Sequence, residues 1–108
     1  MKQFKVTTPF GTEKCTLSAS TYAGKSGHIA LQLWCEDGPF ATLTVNLPGL
    51  RGMPENVSCV DTNNCPWGPA LIKKLGIGKD TGHYLCSGFC TYPVYSFDVD
   101  KIAEYTTT

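Results

Sequence analysis

Between His28 and Leu47 the chain alternates apolar and polar residues on either side of an Asp37-Gly38 dipeptide, and no other stretch narrows the fold as much. Ile29, Leu31, Leu33 and Cys35 share one face of the first run, His28–Glu36. Ala41, Leu43, Val45 and Leu47 share one face of the second, Phe40–Leu47. A period of two sends alternate side chains to opposite sides of an extended chain, and Asp-Gly suits a tight reversal between antiparallel strands. Pro39 has no N–H to donate and shortens the start of the second strand. A continuous apolar face must be covered, so a second layer is required. Trp34 and Phe40 fall on the opposite face with Ala30. Either that face is covered too, which Ala30 and Trp34 favour, or the two rings form an exposed patch.

The flanking segments extend the same pattern. Over residues 2–8, Phe4, Val6 and Thr8 alternate with Lys5 and Thr7; over 13–19, Cys15, Leu17 and Ala19 alternate with Lys14, Thr16 and Ser18. Phe10-Gly11-Thr12 separates them as a turn, which makes a hairpin. Ala23-Gly24-Lys25-Ser26-Gly27 and Pro48–Pro54 read as loops, and Asn56–Asp61 as a short strand around Val57 and Val60. Asn63-Asn64-Cys65-Pro66 signals a helix start, because asparagine caps free N–H groups and proline suits a first turn. The helix is expected over 66–75, or from Pro69 if that proline opens it, with Trp67, Ala70, Leu71 and Leu75 as its apolar stripe and Gly76 as a left-handed cap. Gly76–Gly82 reads as a flexible connection and 93–99 as a last strand with Tyr95, Phe97 and Val99 on one face. Asp98 or Asp100 is placed to cap a final helical turn through Tyr105, before a frayed tail at 106–108. Short turns between strands imply a single α+β domain over 1–108. Its core is a mainly antiparallel β-sheet of about four to six strands with one or two short helices, the 66–75 helix lying on the apolar face.

Charge removes several functional classes. Nine Lys+Arg balance nine Asp+Glu in 108 residues. Phosphate neutralisation needs clustered positive charge, so direct nucleic-acid binding is not expected, and the whole molecule is not an acidic DNA mimic. No apolar run of signal-peptide length follows Met1–Val6, and none approaches the ~20 residues of a membrane span. The expectation is therefore a cytoplasmic protein without a membrane partner. In a reducing compartment Cys15, Cys35, Cys59, Cys65, Cys86 and Cys90 are expected as free thiols, Cys15 and Cys35 acting as small hydrophobes on strands.

Catalytic and cofactor motifs are weak. Cys59, Cys65, His83, Cys86 and Cys90 include zinc-ligand residue types, but Cys59-x5-Cys65 is wider than a usual knuckle, and ordinary thiols are the preferred reading. A nucleophile assembled from Cys86 or Cys90 with His83 or His28 and Asp61 rests on chance combination. Gly24-Lys25-Ser26 ends like a phosphate loop, yet Ala19 stands where its first glycine belongs, and Lys79 is followed by Asp80 rather than Ser or Thr. No catalytic residue, metal or cofactor is therefore assigned, and the chain is expected not to be an enzyme. What remains is a set of contact candidates. Trp67, Phe89 and Tyr92 are aromatic anchors, joined by Trp34 and Phe40 if their face is open. Asp61, Asn63 and Asn64 are turn and cap formers in the first instance and polar contacts in the second.

Three segments occur together in a recognisable order: Ala41-Thr42-Leu43-Thr44-Val45-Asn46-Leu47, Val60-Asp61-Thr62-Asn63-Asn64 and Ser87-Gly88-Phe89-Cys90-Thr91-Tyr92-Pro93. Over about residues 28–99 the chain resembles a family of small proteins, of a domain of unknown function, carried by conjugative elements, plasmids and phages of gut bacteria. That resemblance implies a setting rather than a chemistry. Accessory proteins of mobile elements often counter host defence, some as anti-CRISPR proteins that bind an RNA-guided nuclease. The expected function is non-catalytic inhibition of such a host nuclease by shape and apolar anchors. The alternatives are an accessory module binding another element-encoded protein, or a small metal- or thiol-dependent protein.

Overall fold

The fold is set by two hairpins whose turns both place glycine just after the reversal. Phe4–Thr8 (β1) pairs with Gly11–Thr21 (β2), and Ile29–Cys35 (β3) with Gly38–Thr42 (β4). Gly11 and Gly38 both take φ 128°, a value that only glycine adopts without strain. The computed structural model describes residues 2–22 and 28–106. The loop expected at Ala23–Gly27, with its Gly24-Lys25-Ser26 tripeptide, and the last two residues of the expected tail lie outside these. The two hairpins join through β2 and β3 into one antiparallel sheet of order β1-β2-β3-β4. Its inner face carries Phe4, Val6, Cys15, Leu17, Ile29, Leu31 and Leu33, all buried as the alternation requires.

The second expected strand does not run on to Leu47. After Thr42 the chain leaves the first sheet, and Thr44–Val45 (β5) pairs with Val57–Val60 (β6) in a second antiparallel sheet. Leu43 is the pivot. Its N–H donates to Leu31 O at 2.9 Å in the first sheet, while its carbonyl accepts Asp61 N–H at 2.8 Å in the second. Thr44 Oγ1 accepts Leu31 N–H at 3.1 Å, in place of the next carbonyl of a continuing strand, and lies 2.8 Å from the Tyr22 hydroxyl. The shared face therefore splits. Leu43 joins the main core, whereas Val45 and Leu47 join a smaller cluster elsewhere.

The second sheet has the order β5-β6-β8-β7, with Gly78–Ser87 as β7 and Cys90–Phe97 as β8. Its middle is buried on both faces. Val60, Tyr95 and Phe97 face the main core; Val57, Cys59, Tyr92 and Val94 face the smaller cluster, which Leu47 and Leu50 of the 3-10 turn Pro48–Leu50 complete. The expected flexible connection is thus mostly strand. At Gly78 a Cβ would stand 2.8 Å from Phe97 Cδ1, so glycine lets the Phe97 ring lie against the neighbouring strand. The register shift at 80–84 is tied down by local hydrogen bonds: Asp80 Oδ1 accepts Gly82 N–H at 2.8 Å and Thr81 Oγ1 donates to Val94 O at 2.7 Å. The last strand begins at Cys90 rather than Pro93, and Val99 leaves it for the final helix, where it is exposed.

Gly68–Leu75 (α1) starts two residues later than the Pro66 expectation, with Trp67 at its N-cap and no side chain capping it. Asn63 and Asn64 belong to a preceding turn instead. The C-terminal end follows the sequence. Gly76 is left-handed at φ 69°, its N–H reaching Lys73 O at 3.2 Å, and Ile77 N–H reaches Ile72 O at 3.3 Å. This is a Schellman arrangement whose apolar pair, Ile72 and Ile77, is fully buried. Val99–Thr106 (α2) is capped by Asp98 Oδ1, which accepts Lys101 N–H at 3.1 Å. Leu71, Ile72 and Leu75 of α1 and Ile102 of α2 complete the main core against the first sheet. The architecture is α+β, with two antiparallel four-stranded sheets and two short helices among the described residues. None of those helices is long and apolar enough to cross a membrane.

Leu43 tests this arrangement, because it is 0% exposed at the point where the sheets meet. Leu43→Asp buries an unpaired carboxylate, at a cost comparable to the ~5–15 kcal/mol stability of a whole domain, and should abolish cooperative thermal unfolding. Leu43→Ala should cost ~2–5 kcal/mol in a denaturant titration. Unchanged melting of Leu43→Asp would place Leu43 outside the core.

Candidate functional site

A groove of about 490 Å³ opens where the β1–β2 turn, β4 and the start of α1 meet. Its apolar walls come from Phe10, Phe40, Ala41 and Trp67, and its polar side from Asp61 and Asn64. Each ring arrives for a local reason. Phe10 sits between Pro9 and Gly11 in a reversal with no core beneath it, and is wholly exposed. Trp67 is brought in as the residue on which α1 begins.

Phe40 arrives through a bulge. Leu33 pairs with Ala41 and Trp34 with Pro39, which leaves Phe40 with no counterpart on β3. An extra residue on one strand re-aims the side chains beside it. The expectation that Trp34 and Phe40 share an outward face is thereby corrected. Phe40 packs against the main core and against Trp67, ring centroids 6.0 Å apart at 53°. Trp34 stays outside at 39% exposure, so the expected covering of the first sheet's outer face does not extend to it.

Asp61 supplies the one charge among the described residues that line the groove. Its carboxylate first organises its own turn: Oδ1 accepts Asn64 N–H at 3.2 Å and Oδ2 accepts Asn64 Nδ2 at 2.9 Å. The turn-forming role read from the sequence is therefore present for both residues, while Asn63 is exposed and lies outside the groove lining. Cys65 forms part of the floor, its thiol 3.5 Å from Thr42 O. Burial, and then the Asp61 charge, push that thiol up to about 11.

The remaining candidates lie elsewhere. Phe89 is fully exposed at the tip of the β7–β8 hairpin, where Gly88 at φ 61° takes the first central position, as in a type II′ turn. Tyr92 is 9% exposed within the smaller cluster, so it packs as core rather than standing out as an anchor. Sequence reasoning missed Phe10 as a contact residue, although an aromatic ring inside a Pro-Phe-Gly reversal has nowhere to bury itself. The zinc-ligand candidates Cys59, Cys65, His83, Cys86 and Cys90 do not converge on one site among the described residues. Burial pushes Cys59, in the smaller cluster, up to about 11. Cys86 and His83 are exposed on β7, and His28 is buried with its Nδ1 2.8 Å from Val57 O, which makes that nitrogen the N–H donor. Among the described residues, no three His, Cys, Asp or Glu side chains gather as metal ligands.

These thiols make two expectations measurable. With a disulfide reagent at neutral pH, Cys86 should react first in the native protein, whereas Cys59 and Cys65 should react only on unfolding. Folding raises Cys59 and Cys65 from 9.0 to about 11, so loss of the thiol proton favours the unfolded chain. Their stabilising share is complete below pH 9.0 and is lost as pH rises through about 11. The melting temperature should fall over that window, and less steeply for Cys59→Ala. A flat alkaline profile would contradict the burial of both thiols.

A profile for a domain of unknown function, DUF4313, matches residues 16–108. Searches of curated proteins and of solved structures return no match. The matched region begins in β2 and contains the Phe40 bulge, the Asp61 turn and the α1 start, but not Phe10. With most of its length covered, the chain belongs to the DUF4313 family.

Proposed function

We propose that this protein acts by stoichiometric binding to a protein partner, with the Phe10–Phe40–Trp67 groove as its contact surface, and that it turns over no substrate. One observation carries this reading: aromatic rings from a turn, a strand bulge and a helix start converge on an open groove beside one carboxylate. Interfaces concentrate their binding energy in a few aromatic anchors set in such recesses. The acidic rim at Asp61 suits a partner segment that carries a basic side chain, since among the described residues no lysine or arginine lines the groove. The resemblance to proteins of mobile elements supports a host defence nuclease guided by RNA as the partner class, which sets the action in the bacterial cytoplasm.

Inhibition of such a nuclease should then titrate to a fixed molar ratio. Phe10→Ala and Trp67→Ala should each weaken binding about tenfold or more, the loss expected of an interface anchor. The melting temperature of Phe10→Ala should not change, because that ring packs on nothing. Tyr92→Ala should act differently, lowering stability by ~3 kcal/mol or more through the smaller core. Inhibition far below one molecule per nuclease would indicate turnover. Full inhibition by both groove variants would remove the groove from the interface. Binding to an element-encoded protein, with no effect on host nucleases, would replace the partner class and leave the groove in place.

A further inference from the structure

Cys15 and Cys35 are direct cross-strand partners in the β2–β3 ladder, and both are free thiols. The hydrogen-bond alternation of that ladder shows which kind of pair they form. Tyr22 N–H donates to His28 O at 2.9 Å, so Tyr22 and His28 are a hydrogen-bonded pair. The register runs without a shift from Thr21↔Ile29 to Cys15↔Cys35, and bonded and non-bonded pairs alternate along it. Thr21/Ile29, Ala19/Leu31, Leu17/Leu33 and Cys15/Cys35 are therefore all non-bonded pairs. Leu31 agrees independently, because its N–H goes to Thr44 Oγ1 and its carbonyl to Leu43 N–H, both away from β2.

Non-bonded antiparallel pairs bring Cα atoms to about 4.5 Å with their side chains on the same face, inside the ~4.4–6.8 Å span that a disulfide bridges. The two sulfurs differ in access. Cys15 is 1% exposed, whereas Cys35 is half-buried near the β3–β4 turn. Burial raises the Cys15 thiol, and the Cys35 sulfur is the next contributor, in keeping with their adjacency.

We propose that Cys15 and Cys35 are a reversible oxidation site, converted to an intramolecular disulfide by a small-molecule disulfide of the glutathione type. The Cys35 thiolate attacks one sulfur of the oxidant, the oxidant's S–S bond breaks, and one small thiol leaves with the proton that Cys35 gave up. Cys15 then loses its proton and attacks the Cys35 sulfur of the mixed disulfide, releasing the second small thiol. Two protein thiols are oxidised to one disulfide, and the oxidant is reduced to two thiols. The order follows from access, since the buried Cys15 meets no oxidant in solution. The crosslink ties β2 to β3 without a change of register, so oxidation marks the native fold rather than rearranging it.

The test uses the full chain with Cys86→Ser and Cys90→Ser, which removes the two more accessible rival thiols of the β7–β8 hairpin. Reduced protein is incubated with oxidised glutathione, quenched by alkylation and mapped by mass spectrometry. The expected product is lighter by two hydrogens, links the Cys15 and Cys35 peptides, and reverts with dithiothreitol. Adding Cys15→Ala should halt the reaction at a Cys35–glutathione adduct, raised about tenfold or more over its level in the parent because the resolving thiol is gone. Adding Cys35→Ala should leave Cys15 unmodified. A stable Cys35 adduct in the parent with Cys15 still reduced, or no oxidation of either residue, overturns the proposal.

Discussion

The fold depends on the seam at Leu43 and Thr44. A strand that continued from Thr42 to Leu47 would leave the second sheet without its first partner and the Leu31 amide without its present acceptor. Instead one residue divides its backbone groups between two sheets, N–H to Leu31 and carbonyl to Asp61. The next residue lends a side-chain oxygen to the amide that would otherwise be left unpaired in the interior. A buried amide without a partner costs about as much as several surface contacts supply, so a hydroxyl at position 44 is part of the sheet junction. The same seam anchors the groove. Asp61, whose N–H ends the chain of bonds, carries the carboxylate that shapes the turn leading into α1.

The two sheets are unequal. The first has an inner face packed on the helices and an outer face open at Trp34, whereas the middle of the second is covered on both sides. Strand β6 reflects this, since all four of its residues are buried. Ser58 Oγ lies in that strand without a hydrogen-bond partner among the described residues. The outer strand β7 is the reverse, exposed along nearly all its length and interrupted by a bulge. Bulges and charged residues such as Lys79 and Asp80 discourage edge-to-edge pairing with other chains, which a regular edge of this length would invite.

Much of the architecture was legible in the sequence because the first sheet keeps a clean period of two. Phe4, Val6, Cys15, Leu17, Leu31 and Leu33 are buried where the alternation places them. The Gly76 cap and the Asp98 cap were legible for a similar reason, since each is a local geometry with one preferred residue type. The sheet change at Leu43 was not legible. Alternation reports which side a residue faces relative to its neighbours, and it persists when a strand passes from one sheet to another. Strand β7 was hidden by three glycines that serve as a close approach at Gly78, a bulge at Gly82 and a helix cap at Gly76, each of which resembles a flexible link in sequence. The groove was legible in its parts, as Trp67, Phe40, Asp61 and Asn64. Their convergence, and the place of Phe10 among them, depend on tertiary contacts that no local pattern carries.

The bulge at Phe40 has a consequence for how this surface can vary. Leu33 already pairs with Ala41, and Trp34 with Pro39, so the ladder is complete without the residue between them. Phe40 is supernumerary to the sheet, yet it forms one wall of the groove. The length of β4 and the shape of the groove are therefore separable properties. A chain one residue shorter at this point keeps the same strand order and loses the aromatic wall. Exchange of that residue reshapes the recess through its contacts with Trp67 and the edge of the core, while the pairing of β3 with β4 stays as it is.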